Sequence, residues 1–329
     1  MRAIALISGG LDSILAARVI QEQGVEVIPL HFQIPFCHKA KDASRQSRLV
    51  RENLGLDLRI FQLKQEFLEM LKKPRYGFGS NMNPCIDCKI LMLSKAKSLM
   101  QETGAQFIVT GEVLWQRPMS HHRQALMIIA KRSGLEGLVV RPLCARNLPE
   151  TTHEKEGWVN REGLLDIKGR TRKPQLELAQ KFKLQDYTQP SGGCLLTDPE
   201  FSRRLKELIA HQELSLGNID LLKIGRHFRI AERSRLVVGR NEAEDNELLD
   251  LAEEGDYIFS PPETAGPTSL ARGEIEKELI ELSCRITARY CDKGADPKAK
   301  ISYYRFPDKK EEIIQSLALE ESQLEKLRV

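Results

Sequence analysis

Short unbroken apolar runs alternate with apolar positions spaced three and four apart through the first part of the chain. Residues 4–7 form such a run and predict a buried parallel strand. It stops at Ser8-Gly9-Gly10, after which Ile14, Leu15, Ala17, Val19 and Ile20 set a helical pattern. Residues 24–32 predict a second strand, 43–54 a helix and 58–63 a third strand. A helix begins over 66–71 and breaks at Pro74; another over 90–100 carries Leu91, Leu93, Ala96 and Leu99. Residues 106–110 predict a strand, and 125–130 and 138–143 two more. The stretch 153–162 is polar without period and predicts an exposed insertion, whereas 173–182 predicts a helix with Pro174 in its first turn. Strand–helix alternation of this kind predicts an α/β fold, a parallel sheet with right-handed crossovers.

The character changes after residue 217. Residues 221–224, 228–231 and 235–238 predict antiparallel strands. A turn at Gly239-Arg240-Asn241 opens a helix through Ala252. A strand at 257–259, a long helix over 275–291, a strand at 300–305 and a charged helical tail over 311–328 complete a smaller α+β part. The expected division is 1–197 for the parallel-sheet domain, 198–217 for a helical linker (its helix over 199–211) and 218–329 for the second domain.

Composition bounds this picture. The chain has 329 residues, 41% hydrophobic and 29% charged, as in ordinary globular proteins. No apolar run reaches membrane-span length, so no membrane partner is expected. The N-terminus carries one basic residue and runs straight into the first strand, which predicts structure rather than a signal peptide and a cytoplasmic location. Seven cysteines is an odd number without a disulfide-framework spacing, and points to catalytic, metal-binding or buried thiols. A net charge of +4 permits nucleic-acid binding only where the basic residues cluster. Nothing here decides between a monomer and a homodimer.

A strand, a glycine turn and a helix start make an anion site, because free N–H groups and the helix dipole favour negative charge there. Gly9 and Gly10 let backbone approach a phosphate, and Ser8 and Ser13 add hydroxyl donors. Asp12 repels phosphate by charge and is assigned to orienting the loop or holding Mg²⁺. No G-x-x-x-x-G-K-[ST] occurs, so this is not a Walker loop. Ser8-Gly9-Gly10-Leu11-Asp12-Ser13 resembles the S-G-G-x-D-S PP-loop of the ATP pyrophosphatase superfamily. The resemblance implies ATP bound by Ser8, Gly9, Gly10, Leu11, Asp12 and Ser13, cleaved between its α and β phosphates to adenylate an oxygen. His31, Phe32, Thr110 and Gly111, at strand ends where open α/β sheets bind ligands, are the further nucleotide-binding candidates, with adenine near His31 and Phe32.

Asn83-Pro84-Cys85-Ile86-Asp87-Cys88 precedes a helix. Two thiols at a helix N-terminus suit a nucleophile and a metal ligand alike. One C-x-x-C is half a zinc site, and no second one is present. Cys194 follows the turn Pro190-Ser191-Gly192-Gly193. The N-P-C-x-x-C run and Ser191-Gly192-Gly193-Cys194-Leu195 resemble segments of the tRNA 2-thiouridylases. Val109-Thr110-Gly111-Glu112 and Arg141-Pro142-Leu143 resemble the V-T-G-E and R-P-L segments of the tRNA 4-thiouridine synthases. The resemblance implies catalytic roles for Cys85, Cys88, Cys194 and Asp12. It also implies either a persulfide relay or a [4Fe-4S] cluster held by Cys85, Cys88 and Cys194, the cluster being preferred because no sulfur-carrier domain is visible. Sulfur would come from a donor protein or inorganic sulfide. Cys37 reads equally as a site residue or buried filler; Cys144, Cys284 and Cys291 read as core. His121 and His122 read as exposed loop residues, and Trp115 as a core-edge aromatic rather than a base-stacking one.

In the second part, Val238-Gly239-Arg240-Asn241, with Asn246 and Leu248, resembles the NFACT-R RNA-binding modules. Arg226, His227, Arg229, Arg233, Arg235 and Arg240 would then place basic side chains on a strand-rich surface, with a solvated face offset by acidic residues as the plainer reading. The whole implies an ATP-dependent tRNA uridine sulfurtransferase, 4-thiouridine before 2-thiouridine. Two other classes stay open: an AMP-forming amide ligase with zinc on its cysteines, and a non-catalytic nucleotide-dependent RNA-binding factor.

Overall fold

A computed structural model describes residues 1–37, 41–187, 194–292, 297–308 and 310–329. They divide into two units, Met1–Thr197 and Asp198–Val329. In the first, the order is β1 (Arg2–Leu6), α1 (Leu11–Gln21), β2 (Glu26–Gln33), α2 (Lys41–Leu54), β3 (Arg59–Gln62), α3 (Gln65–Lys72), α4 (Cys85–Thr103), β4 (Phe107–Thr110), α5 (Arg123–Arg132), β5 (Val139–Val140), α6 (Thr152–Lys155) and α7 (Lys173–Lys181). The five strands form one parallel sheet in the order β3-β2-β1-β4-β5. Ala3, Ile4 and Ala5 are buried, as a central strand covered on both faces requires. Ala3, Ala5, Ile7, Phe107 and Val109 pack with α1, α2 and α7 in one core. Strand order reverses direction at β1, whose neighbours are β2 and β4. The crevice beyond the C-terminal ends of β1 and β4 is therefore the place where such sheets accept ligands.

Two expectations fail in this unit, and a third holds only in part. Residues 125–130 are helical, inside α5, not a strand. An apolar hexapeptide does not declare its period. Here His122 caps the helix, Lys131 and Arg132 close it, and Ala125, Leu126, Ile129 and Ala130 share the buried face. Of 138–143 only Val139 and Val140 form a strand. Most of residues 153–162 are exposed, as expected, but the stretch is anchored at its start. A reciprocal cap between Thr151 and Glu154 starts α6, and the buried His153 ring lies 4.7 Å from Phe107 and 5.2 Å from Trp158.

The second unit runs α8 (Pro199–Ala210), α9 (Leu216–Leu222), β6 (Arg226–Ala231), β7 (Ser234–Val238), α10 (Glu242–Asp250), β8 (Tyr257–Ser260), β9 (Ser269–Gly273), α11 (Lys277–Ala288), β10 (Lys298–Arg305), β11 (Glu312–Leu317) and α12 (Glu321–Leu327). Six strands make an antiparallel sheet in the order β11-β10-β8-β9-β7-β6. Phe228, Phe259 and Ile301 pack with Cys284, Ile286 and Leu324 in one core, while Leu221, Ile224 and Leu248 join Val237 and Leu270 in another. Residues 221–224 end a helix capped by Ser215 rather than forming a strand, and the tail is a strand followed by a helix. The strand β9 has no counterpart among the sequence expectations. No described helix is long and apolar enough to cross a membrane.

His227 on β6 is buried, with Nε2 2.8 Å from the Ile224 carbonyl oxygen. Burial, then the nearby Arg204, pull its pKa down from 6.5 to about 3. Between those values the unfolded chain binds the proton and the folded chain does not. Stability is therefore full above about pH 6.5 and declines as pH falls toward 3, at about 1.4 kcal/mol per pH unit for this group. Chemical denaturation at stepped pH values should show this loss, and His227→Gln should flatten it by about one proton.

Candidate functional site

The turn after β1 is built from its own side chains. Gly9 has φ +78°, a conformation that favours glycine. Ser13 Oγ donates to the Gly10 carbonyl at 2.7 Å and accepts from the Ser8 N–H at 3.2 Å, so its hydroxyl braces the loop from within. Ser8 is exposed and Leu11 is core. Asp12, in the first turn of α1, accepts from Gln116 Nε2 at 3.0 Å through Oδ2. Its Oδ1 is buried without a hydrogen-bond partner among the described residues, Arg172 Nη2 being 3.9 Å away. Burial raises its pKa against the opposing pull of Gln116, Arg172 and Arg117.

The exit of β4 meets this turn. A Cβ on Gly111 would stand 2.5 Å from the Asp12 carbonyl oxygen and 2.6 Å from the Ser13 nitrogen. Only glycine permits that approach. The next residue, Glu112, is buried and accepts from Lys89 Nζ, from Arg141 Nε at 2.7 Å and from Thr110 Oγ1 at 3.0 Å. Lys89 and Arg141 hold its carboxyl well below the usual carboxylate range despite burial, which opposes them. His121 stands with Nδ1 2.9 Å from the Val113 carbonyl oxygen and Nε2 3.2 Å from Lys89 Nζ. Burial, then Lys89, lower its pKa to about 3, so the ring is neutral. His121 is therefore buried, against expectation, and His122 caps α5.

Lys89 belongs to α4, which begins at Cys85. Asn83 donates from Nδ2 to Cys85 Sγ at 3.3 Å while its Oδ1 accepts from the Asn81 N–H. Asp87, between the two cysteines, accepts from the Arg75 and Tyr76 N–H groups at 3.0 and 2.9 Å and ties down the preceding loop. Cys194 Sγ lies 3.8 Å from the Phe36 carbonyl oxygen. Its segment is sewn in by bonds from Leu195 N to Phe36 O, Met82 N to Leu196 O, and Asn81 Nδ2 to Thr197 O. Residues 191–193 of the cysteine turn lie outside the described residues.

The structure thus brings Cys85, Cys88 and Cys194 within electrostatic reach of one another, with Cys37 added. Burial pushes the Cys88 thiol above its usual range, and the charges of Cys194, Cys85 and Cys37 push the same way while Lys89 opposes. Burial likewise takes Cys194 up to about 12, opposed by a backbone hydrogen bond and by Arg117. Arg117 is within electrostatic reach of both Asp12 and Cys194. Among the described residues no three His, Cys, Asp or Glu converge on a single-ion position. Cys144, Cys284 and Cys291 are buried core residues. His31 is buried with Nδ1 2.8 Å from the Ile7 carbonyl oxygen, next to the turn, and Phe32 packs near Phe61. Lys89, Asp87, Arg117, Gln116 and Arg172 are residues of this site to which the motifs gave no role; Asn83 stood in the N-P-C-x-x-C run without one, and the position of Lys89 directly after Cys88 was a hint.

Residues 1–150 match the family model described as thiamine biosynthesis protein (ThiI), and residues 225–328 the one described as NFACT protein RNA binding domain. The first part of the chain is ThiI-like, the last NFACT-R-like. A probable tRNA sulfurtransferase of Thermococcus kodakarensis is 33% identical over 143 residues, 43% of this chain and 36% of that one. The tRNA-specific 2-thiouridylase MnmA of Pelobacter propionicus is 28% identical over 117 residues, 34% and 33% of the two chains. The match thus spans about a third of the length of each of these relatives. Among solved structures, a 4-thiouridine synthetase–RNA complex with bound ATP is 21% identical at a TM-score of 0.39, covering 68% of this chain and 52% of that one. The U34-tRNA thiolase NcsA from Methanococcus maripaludis with its [4Fe-4S] cluster is 17% identical at a TM-score of 0.35, covering 67% and 70%. In the ThiI-like part, the V-T-G-E and R-P-L segments meet through the Glu112–Arg141 ion pair.

Two substitutions test this geometry. Gly111→Ala forces backbone apart and should cost about 1–3 kcal/mol. Glu112→Gln leaves Lys89 and Arg141 short of a charge partner and should cost about 3–5 kcal/mol. Both are read by denaturant unfolding against the parent chain.

Proposed function

We propose that the chain is an ATP-dependent tRNA uridine sulfurtransferase, acting in the cytoplasm and forming 4-thiouridine in preference to 2-thiouridine. The observation that carries the reading is the meeting of three thiols from distant segments beside a PP-loop, with Arg117 in reach of both. ATP sits with its phosphates on residues 8–13, at the N-terminus of α1, whose dipole favours negative charge there. Asp12 would hold Mg²⁺: its buried oxygen without a hydrogen-bond partner is an acceptor that such an ion or its water could satisfy. His31, Phe32, Thr110 and Gly111 border the nucleotide.

The uracil O4 attacks the α-phosphorus and pyrophosphate leaves. The carbonyl oxygen becomes part of a good leaving group, AMP. A sulfur nucleophile then adds to C4, and AMP departs with the oxygen. Arg117 offsets negative charge building between the phosphates and the sulfur centre. Lys89, positioned by Glu112, keeps a cation beside Cys88.

The donor set fits a [4Fe-4S] cluster. It is all sulfur, it is half-buried, and soft thiolates are the ligands iron–sulfur centres take. In such a cluster each thiol would take its own iron, so convergence on one ion would not be required. Buried thiols pushed upward in pKa become thiolates only beside a cation. Cys85, Cys88 and Cys194 would hold the cluster, which supplies an open iron to carry sulfide as nucleophile. The sulfur would come from a donor protein or from inorganic sulfide. All seven cysteines are free, as this chemistry needs. The C-terminal unit holds tRNA.

Anaerobically purified protein should contain iron and acid-labile sulfide, and tRNA incubated with it, ATP and sulfide should gain 4-thiouridine. Cys194→Ala should abolish both. Zinc without iron would favour the amide-ligase class, and undiminished thiolation by Cys194→Ala would sink the sulfur role.

A further inference from the structure

Trp115 does not close the edge of the core. It is 56% exposed, on the turn that leaves Gly111-Glu112. Its backbone is left-handed, φ +67°, a conformation bulky residues seldom hold unless the surroundings enforce it. The enforcement is visible. Its N–H donates to the His121 carbonyl at 2.7 Å, and Leu114 before it is buried, its carbonyl accepting from the Gly169 N–H at 2.7 Å. Gln116 after it is bonded to Asp12, and Arg117 beyond reaches Asp12 and Cys194. Among the described ring contacts its aromatic neighbour is His122, 6.4 Å away and tilted by 30°. An apolar ring is thus held out to water by a strained turn whose flanking residues are fastened to the phosphate turn.

The other tryptophan gives the contrast. Trp158 is 45% exposed, but its ring packs edge-on against the buried His153. Trp115 has no such core partner in the described ring contacts, and its strain serves no packing. Aromatic rings presented in this way stack on unpaired bases, which offer a flat apolar face at little cost in specificity.

We propose that Trp115 is a stacking platform for an unpaired nucleobase of the RNA substrate, positioning that strand over the turn between the phosphate loop and the thiols. This rests on the tRNA reading above. The occupant is a base rather than a peptide because Arg117 adds a cation two residues on, beside an ATP-phosphate turn.

The test uses the full chain with Trp158→Phe, leaving Trp115 as the sole indole. Bulk tRNA and a single-stranded uridine-rich oligonucleotide should quench its fluorescence saturably, and added salt should leave part of the quench. Trp115→Ala should weaken tRNA binding about 5- to 150-fold, as loss of one stacked base implies, and Trp115→Phe should restore most of it. ATP binding should be unchanged, and any thiolation defect should lie in KM for tRNA. Absence of quenching, or equal tRNA affinity for Trp115→Ala and Trp115→Phe, overturns the proposal. Quenching without any thionucleoside product supports the platform while the sulfur-transfer reading falls. Normal thiolation by Trp115→Ala at unchanged KM overturns the platform and leaves that reading intact.

Discussion

A single buried carboxylate ties the candidate site together. Glu112 leaves β4 at the reversal of strand order and takes Lys89 from α4, Arg141 from beyond β5 and Thr110 from its own strand. Taking these charges out of water is expensive, and the attraction between them returns that cost only because every partner is in place. The return is positional. The helix that starts at Cys85 cannot slide against the strand that ends at Thr110 without stranding a charge in a buried region. Gly111 then clamps that strand end against the first turn of α1 at a separation no side chain tolerates. Thiols and phosphate turn therefore share one rigid reference.

The parallel sheet was legible because its central strands are unbroken apolar runs and its helices carry a period. The phosphate turn and the N-P-C-x-x-C segment were legible because their chemistry is local. What escaped was non-local. Residues 125–130 are apolar throughout, and only the capping by His122 and the face shared by Ala125, Leu126, Ile129 and Ala130 make them helical. Residues 153–162 are solvated for the most part, and what escaped was the anchor: the His153 ring packs beside both Phe107 and Trp158. Lys89 and Arg141 could be seen as motif neighbours but not as partners of one carboxylate, since 23 and 29 residues separate them from it.

The second unit carries a similar lesson about charge. Six basic residues along its strands suggested an open cationic surface, and most of them are occupied. Arg229 is paired with Glu207 and Glu213, Arg235 is buried against Glu213, and Arg233 meets Glu274. Arg226 bonds the Gly239 carbonyl and lies over the Tyr290 ring, while His227 is neutral and buried. Arginines spent on neighbours contribute rigidity to the sheet and less to a phosphate field than their number suggests. An RNA surface on this unit would have to draw on shape and on the more exposed guanidinium groups, not on net charge, which is only +4 for the chain.

The thiols raise an opposite problem, too little charge compensation. Burial makes Cys88 and Cys194 poor thiolates, and each neighbouring thiolate makes the next harder to form. Lys89 opposes this at Cys88, but it is already engaged by Glu112; Arg117 opposes it at Cys194 and is shared with Asp12. Neither cation can neutralise three sulfurs. A site so arranged disfavours free thiolates, and on the proposed reading a multivalent centre would supply the missing positive charge. On that reading the same burial would keep water from a sulfur nucleophile, so the electrostatic deficit and the proposed chemistry call for the same centre.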